Sequence, residues 1–221
     1  MIRLENVYKQ YHQQGRLWSK KDTFWAIDNL SLEIKCAESV ALTGPNGSGK
    51  TTLLRIISGI TTPTSGTVKV QGKVLPLIGI GGAFSPYLTG RENIYLLSSI
   101  FGLRRKTLRG IFDNIVDYSG IKDFLNMQVM RYSSGMMIRL AFAIAIYMPF
   151  EIILFDEILG VGDENFQQTS LQTIKKFRSE GKTIVFVTHN PMLACEIYDR
   201  LFVIAKGKLL RQEYTPPRPA C

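Results

Sequence analysis

Cysteine, histidine and tryptophan are scarce in this 221-residue chain, with three, two and two copies respectively. Cys36, Cys195 and Cys221 form no C-x-x-C pair, which excludes a zinc ribbon and a disulfide framework and fits a reducing compartment. A membrane-spanning run is missing as well. The most apolar stretch, Leu140 to Phe155, is interrupted by Pro149 and Glu151 and falls short of the ~20 apolar residues that a spanning helix needs. Arg3 and Glu5 put a charge pair where the apolar core of a secretory signal would begin. There is no internal repeat and no low-complexity segment except Thr215 to Pro219, expected to be an extended, mobile tail from about residue 214 onward. Acidic residues are few beside basic ones, 18 against 27, and the resulting +9 implies an anionic surrounding: a nucleotide, a nucleic acid or an acidic membrane face. The basic residues occur in short knots such as Lys20-Lys21, Arg104-Arg105-Lys106 and Lys175-Lys176, each read as a solvated face.

What is present is a hydrophobic content of 45% with 20% charged residues, a globular balance sufficient for one large core. Gly44-Pro45-Asn46-Gly47-Ser48-Gly49-Lys50-Thr51 fills every position of the phosphate-binding pattern G-x-x-x-x-G-K-[ST]. It follows a strand-like Ser39 to Thr43 and precedes a helix-like segment beginning at Thr52, the strand-loop-helix context that the pattern requires. Glycines let the loop turn its backbone N–H groups inward toward phosphate oxygens, and the helix N-terminus adds a fixed partial positive charge. Lys50 is placed to reach the β- and γ-phosphates of ATP, and Thr51 to offer its hydroxyl to Mg2+.

Four apolar residues from Ile152 end in Asp156-Glu157, two carboxylates at the carboxyl end of a strand. Asp156 is expected to hold Mg2+, and Glu157 to act as base on the attacking water. His189 ends another strand, Thr183 to Val187, and is expected at the γ-phosphate or the water. Tyr132-Ser133-Ser134-Gly135-Met136 opens a helix; by itself it reads as a serine cap.

Alternation in Ile2 to Val7 and Leu30 to Ile34 predicts an antiparallel edge, extended by a hairpin of Val68–Val70 and Val74–Leu77 around Gln71-Gly72-Lys73. From about residue 87 to 149 the period changes to helical, with Ile94, Leu97 and Ile100 and then Ile111 and Ile115 on one face. Strand, helix and strand then return over Ile152–Phe155, Gln172–Phe177 and Thr183–Val187, the pattern of a parallel sheet covered by helices. The expectation is one domain over 1–221.

In this order the parts resemble the nucleotide-binding subunits of ABC transporters, from Ile2 to about Leu210. The resemblance implies an α/β fold of the ABC-type P-loop NTPase class, with a mixed sheet core, an antiparallel β subdomain and an inserted helical lobe. It matches the phosphate loop to Walker A, Ile152–Glu157 to Walker B, Gly160-Val161-Gly162-Asp163 to the D-loop, and His189 to the switch histidine. Tyr132–Met136 stands where the family has L-S-G-G-Q, so Ser133, Ser134 and Gly135 are implied to contact ATP held by the opposite subunit of a head-to-tail homodimer. Tyr11 matches the aromatic that stacks on adenine, with Trp25 as its rival.

Y-S-S-G-M, the D-loop sequence and Leu88 to Ile94 look like the ATPases that export capsule, O-antigen and teichoic acid. That implies a transmembrane permease as partner, a peripheral place on the cytoplasmic face of the bacterial inner membrane, and no direct contact with nucleic acid. Residues 12–24 form an insert, implied to make a small helix facing the membrane subunit, and Phe84, Tyr87, Leu88 and Glu92 are implied to form the coupling surface. No glutamine stands at Ile80 to Gly82, so no Q-loop ligand is assigned. The ending soon after Leu210 leads to the expectation that no C-terminal carbohydrate-binding domain follows. A different transport substrate, or a soluble ATPase acting on nucleic acid or ribosomes, is the alternative.

Overall fold

The computed structural model describes residues 1–12, 23–78, 84–156, 164–188 and 196–214. They divide into two compact units. The first comprises Met1–Ile78, Glu151–Glu157 and Lys176–Cys221, and the second Gly79–Phe150 and Ile158–Lys175.

The first unit contains two sheets. Strands β1 (Ile2–His12), β2 (Thr23–Ile34) and β4 (Ser65–Val70) make an antiparallel sheet in the order β2-β1-β4. Strands β3 (Ser39–Thr43), β5 (Val74–Leu77), β6 (Ile152–Asp156), β7 (Thr183–Val187), β8 (Arg200–Ala205) and β9 (Lys208–Tyr214) make the other, ordered β5-β6-β7-β3-β8-β9. All neighbours are parallel except the β8–β9 hairpin. The inner strands β6 and β7 are apolar on both faces, as expected of parallel strands covered on each side. Helix α1 (Lys50–Ile57) places Leu53, Leu54, Ile56 and Ile57 in a core with Ile2, Leu4, Val40, Leu154, Val185 and Phe202.

One topological expectation fails. Val74–Leu77 does not hairpin back onto Val68–Val70: β4 pairs with β1, whereas β5 pairs in parallel with β6. Gln71-Gly72-Lys73 instead links two sheets. Gly72 has φ +115 and a Cβ there would stand 2.9 Å from Glu151 Oε2, while the Glu151 carboxylate accepts the Lys73 N–H. That carboxylate and the Lys73 carbonyl, which accepts from Ile152 N at 3.1 Å, hold β5 to the start of β6.

The second unit contains α2 (Gly90–Ile100), α3 (Arg105–Ser119) and α4 (Ser134–Ile146), with short 3-10 turns at Lys122–Phe124 and Val129–Arg131. Helix α5 (Glu164–Ser179) begins in this unit and ends in the first. Thr89 caps α2 reciprocally with Glu92. Ile94, Leu97, Ile115 and Phe142 are buried, and Tyr118 Oη and Thr173 Oγ1 share a 2.7 Å hydrogen bond. Burial raises the Tyr118 hydroxyl pKa above its ordinary value. Ile100, read with Ile94 and Leu97 as one buried face, is exposed, because α2 ends there and the chain turns away at Phe101.

Candidate functional site

The phosphate loop joins the carboxyl end of β3 to α1, and its conformation is one that glycine permits. Gly44, Gly47 and Gly49 have φ of +145, +75 and +105. Gly49 is the N-cap of α1 and supplies no capping side chain, and the first turn carries no acidic residue, so N–H groups of that turn are left for an anion. Lys50 is 6% exposed, and its ammonium donates to the carbonyls of Gly44 at 2.8 Å and Pro45 at 2.9 Å, which holds it across the loop mouth. The buried Ser48 hydroxyl has no protein partner.

Two walls press on this loop. A Cβ on Gly49 would stand 2.3 Å from the Ala26 carbonyl oxygen and 3.0 Å from Ile27 Cδ1, both on β2. A Cβ on Gly44 would stand 1.9 Å from the Ile204 carbonyl oxygen on β8. The β8–β9 turn closes the frame: Gly207 N donates to the Ser48 carbonyl at 2.9 Å, and Asp28 N donates to the Gly207 carbonyl at 2.9 Å. This turn was missed in the sequence. Lys206-Gly207, both at positive φ, between the apolar Leu201–Ala205 and Lys208–Leu210 was the available signal for a tight hairpin.

Thr51 Oγ1 donates to Asp156 Oδ2 at 2.9 Å, bringing the helix start and the end of β6 together as read from sequence. A hydroxyl beside a carboxylate is a hard-oxygen pair fitted to a small divalent cation. Among the described residues no cluster of three or more His, Cys, Asp or Glu could hold a metal, and Thr51 with Asp156 is the pair that fits one here. Thr52 follows within the first turn of α1. Glu157, Asp163 and His189 lie outside the described residues, as do Ile80 to Gly82 and the tail beyond Tyr214.

The hairpin of β1 and β2 separates the two candidate aromatics. Lys9 pairs with Ile27, and a register shift then pairs Gln10 with Trp25 and Tyr11 with Phe24. Paired residues share a face and successive ones alternate. Lys9, Tyr11, Phe24 and Ile27 therefore line one face, and Tyr8, Gln10 and Trp25 the other. Ring contacts agree: Lys9 Nζ is 5.1 Å from the Tyr11 centroid, Tyr11 and Phe24 are 5.8 Å apart, and Tyr8 and Trp25 are 5.7 Å apart. Tyr11 shares its face with Ile27, the residue that touches Gly49. The ends of the 12–24 insert lie in the hairpin, where His12 pairs with Thr23 and Phe24 with Tyr11. The small helix expected there falls on residues 13–22, outside the described residues.

In the second unit, Ser133 caps α4, its hydroxyl accepting from Met136 N at 3.2 Å, and Ser133 and Ser134 are exposed beside Gly135. Tyr132 braces this turn by donating to the Phe124 carbonyl at 2.8 Å, with burial raising its pKa. Gly90 leaves room for that hydroxyl, which would stand 2.1 Å from a Cβ there. Of the expected coupling residues, Phe84 is buried and Tyr87 is exposed.

The ABC transporter family model matches residues 27–160, a span that contains the phosphate loop, the capped α4 and the Asp156 strand end. The chain belongs to the ABC transporter family. Among relatives, it is 40% identical over 186 residues to the O-antigen export system ATP-binding protein RfbB of Klebsiella pneumoniae, covering 84% of this chain and 76% of that protein. It is 44% identical over 191 residues to the teichoic acids export ATP-binding protein TagH of Levilactobacillus brevis, covering 86% of this chain and 53% of TagH. Among solved structures, the dimeric ATP-binding cassette MJ0796 in a post-hydrolysis state bound to ADP and Pi superposes with a TM-score of 0.84 at 27% identity, covering 99% of this chain and 100% of that one. As a member of the ABC transporter family the chain has no helix, among its described residues, long and apolar enough to cross a membrane.

Proposed function

We propose that this chain binds and hydrolyses ATP as the motor subunit of an exporter that carries a cell-surface polysaccharide, of O-antigen, capsule or teichoic acid type, through a separate membrane subunit. The Lys50, Thr51 and Asp156 arrangement in a walled phosphate loop carries the ATPase reading. The substrate class is supported by similarity over 84–86% of the chain to ATPases named for O-antigen and teichoic acid export.

Residues of the loop from Gly44 to Thr52 receive the phosphates through backbone N–H groups, and Lys50 exchanges the Gly44 and Pro45 carbonyls for phosphate oxygens. Thr51 and Asp156 would hold Mg2+, which would neutralise charge developing on the phosphoryl group. Glu157 takes a proton from the attacking water, and His189 orients the γ-phosphate. Tyr11 stacks on adenine, because its face of the hairpin is the one that meets the phosphate loop, and Trp25 does not. Two copies pair head to tail, so that Ser133, Ser134, Gly135 and Asp163 of one complete the site of the other. The dimeric state of MJ0796 supports a homodimer. The protein then works at the cytoplasmic face of the inner membrane through its permease.

The test is a chromosomal Glu157→Gln replacement, with polysaccharide measured at the surface and inside the cell. Loss from the surface with intracellular accumulation supports hydrolysis-driven export. Unchanged surface polymer despite abolished ATPase activity overturns the substrate assignment.

A further inference from the structure

Helices α2 and α3 are joined at a tip, residues 101–104, whose own backbone closes it. Phe101 N donates to Leu97 O at 2.9 Å, Gly102 N to Ser99 O at 3.0 Å and Leu103 N to Ser98 O at 2.8 Å. Ile100 stands at this tip and is 65% exposed. Arg104, Arg105 and Lys106 follow on the other side of the turn, all exposed. Between residues 90 and 112 there are five basic residues, the others being Arg91 and Arg109, and one acid, Glu92. The Glu92 carboxylate is committed to the cap of α2, accepting from the Thr89 N–H and hydroxyl at 2.8 Å each. Among the described residues none of the five cations has a carboxylate partner.

Two of these cations are held by rings. Arg105 Cζ lies 5.9 Å from the Tyr95 centroid, Tyr95 and Phe112 stack at 5.5 Å, and Arg91 Cζ lies 5.1 Å from the Phe112 centroid. Stacking covers one face of a guanidinium and leaves its in-plane N–H donors for an oxyanion. Folding does not explain the charges. Arg104 is the N-cap of α3 without a capping hydrogen bond, and the first turn carries no acid, so Arg104, Arg105 and Lys106 all oppose the helix dipole. An exposed isoleucine alone needs no explanation, but this one sits beside three unpaired cations, so the tip is apolar at one point and basic around it. An acidic bilayer complements both properties, with anionic headgroups over an apolar layer. A nucleic acid complements only the charge, because base stacking needs a free ring face. Here Phe112 is buried, and Tyr95 is engaged by Phe112 and Arg105.

We propose that the tip between α2 and α3 binds an acidic phospholipid surface, where Arg104, Arg105 and Lys106 meet headgroup phosphates and Ile100 enters the apolar layer behind them. This extends the reading that the chain works at a membrane, and the contact is made by the chain itself without a permease. Three cations and one isoleucine make a weak, salt-sensitive contact that orients a subunit held by other means.

The experiment sediments the purified full chain with vesicles of phosphatidylcholine alone, or of an equal mixture with phosphatidylglycerol, at low and at high salt. It compares wild type with Arg104→Gln/Arg105→Gln/Lys106→Gln, with Ile100→Ser, and with Lys35→Gln/Lys69→Gln/Lys73→Gln, which removes the same charge from exposed residues of the first unit. Wild type should bind the mixed vesicles only, and lose them at high salt. The tip triple variant should partition about 100-fold more weakly, from about five-fold for each basic residue at an acidic surface. Ile100→Ser should lose about ten-fold, and the control triple variant at most a few-fold. Basal ATPase and melting temperature should match wild type in all three, which shows that they fold. Equal losses in the two triple variants would leave only net charge and overturn the tip. Wild-type partition indifferent to phosphatidylglycerol, or Ile100→Ser bound like wild type, overturns the acidic bilayer as occupant. A labelled single-stranded RNA that binds more tightly than the mixed vesicles, and is lost in the tip variant, assigns the surface to nucleic acid and overturns it too. Failure of the exporter reading is seen separately, as unchanged export in Glu157→Gln.

Discussion

Gly207→Ala tests whether the phosphate loop is held by the close approach of a turn remote from it in sequence. Gly207 has φ +75, and Gly59, at the end of α1, also has φ +75. A Cβ on Gly59 meets nothing within 4 Å, whereas one on Gly207 would stand 2.9 Å from Ala26 O, 3.0 Å from Asp28 N and 3.0 Å from Ile27 Cα. Both alanines suffer the left-handed penalty of ~1–2 kcal/mol, offset by roughly 0.4–1 kcal/mol from the stiffer unfolded chain, so Gly59→Ala should cost about 1 kcal/mol. At Gly207 all three neighbours are backbone and cannot rotate away. The turn and β2 must part by a few tenths of an ångström, straining the 2.9 Å bonds from Asp28 N and to Ser48 O. Overpacking of this kind adds about 1–3 kcal/mol. For a protein of this size that separates the two variants by roughly 2–12 °C in melting temperature. Thermal melting of both variants, with and without ATP and Mg2+, measures the difference, and ATP titration should show weaker affinity in Gly207→Ala alone. Equal melting temperatures and equal affinities would refute the idea that β2 and the β8–β9 turn wall the loop.

The hairpin faces predict that Tyr11→Ala weakens ATP binding by about 5- to 150-fold, from ~1–3 kcal/mol of base stacking, whereas Trp25→Ala leaves it unchanged. Fluorescent-nucleotide titration decides between them, and the reverse pattern would place adenine on the other face. The Thr89 N–H, and after it the Thr89 hydroxyl, hold the Glu92 carboxyl below its ordinary pKa. A carboxyl lowered by folding stabilises above its unfolded pKa, and that contribution is lost as pH falls through the folded value. Glu92→Ala should therefore melt lower than wild type at neutral pH, with the gap closing in acid. A gap independent of pH would count against a charge-assisted cap.

Local chemistry was legible in the chain. The phosphate loop needs its glycines, lysine and threonine at fixed spacing because consecutive backbone N–H groups must converge on one anion, and the structure shows that loop between β3 and α1 as read. Strands β3, β6 and β7 were equally plain, since short apolar runs buried on both faces carry their own signal. Sheet membership was not. Val74–Leu77 flanks the Gln71-Gly72-Lys73 turn like a hairpin arm, and only the pairing of β5 with β6, held by the Glu151 carboxylate, places it in the parallel sheet.

The aromatics show the same division. By itself the sequence established a complete phosphate-binding pattern, a matter of residue type and spacing, while the family resemblance implied an adenine-stacking aromatic and left Tyr11 and Trp25 as rivals for it. Tertiary structure put the two on opposite faces of the hairpin, since a single register shift near Ala26 leaves Tyr11 on the face of Lys9 and Ile27 and Trp25 on the other. It also revealed Gly207 against Ser48 and Asn93 inside the Ser85–Thr89 loop. Those contacts depend on distance in space rather than along the chain, and no periodicity or motif encodes which backbone atom a turn will meet.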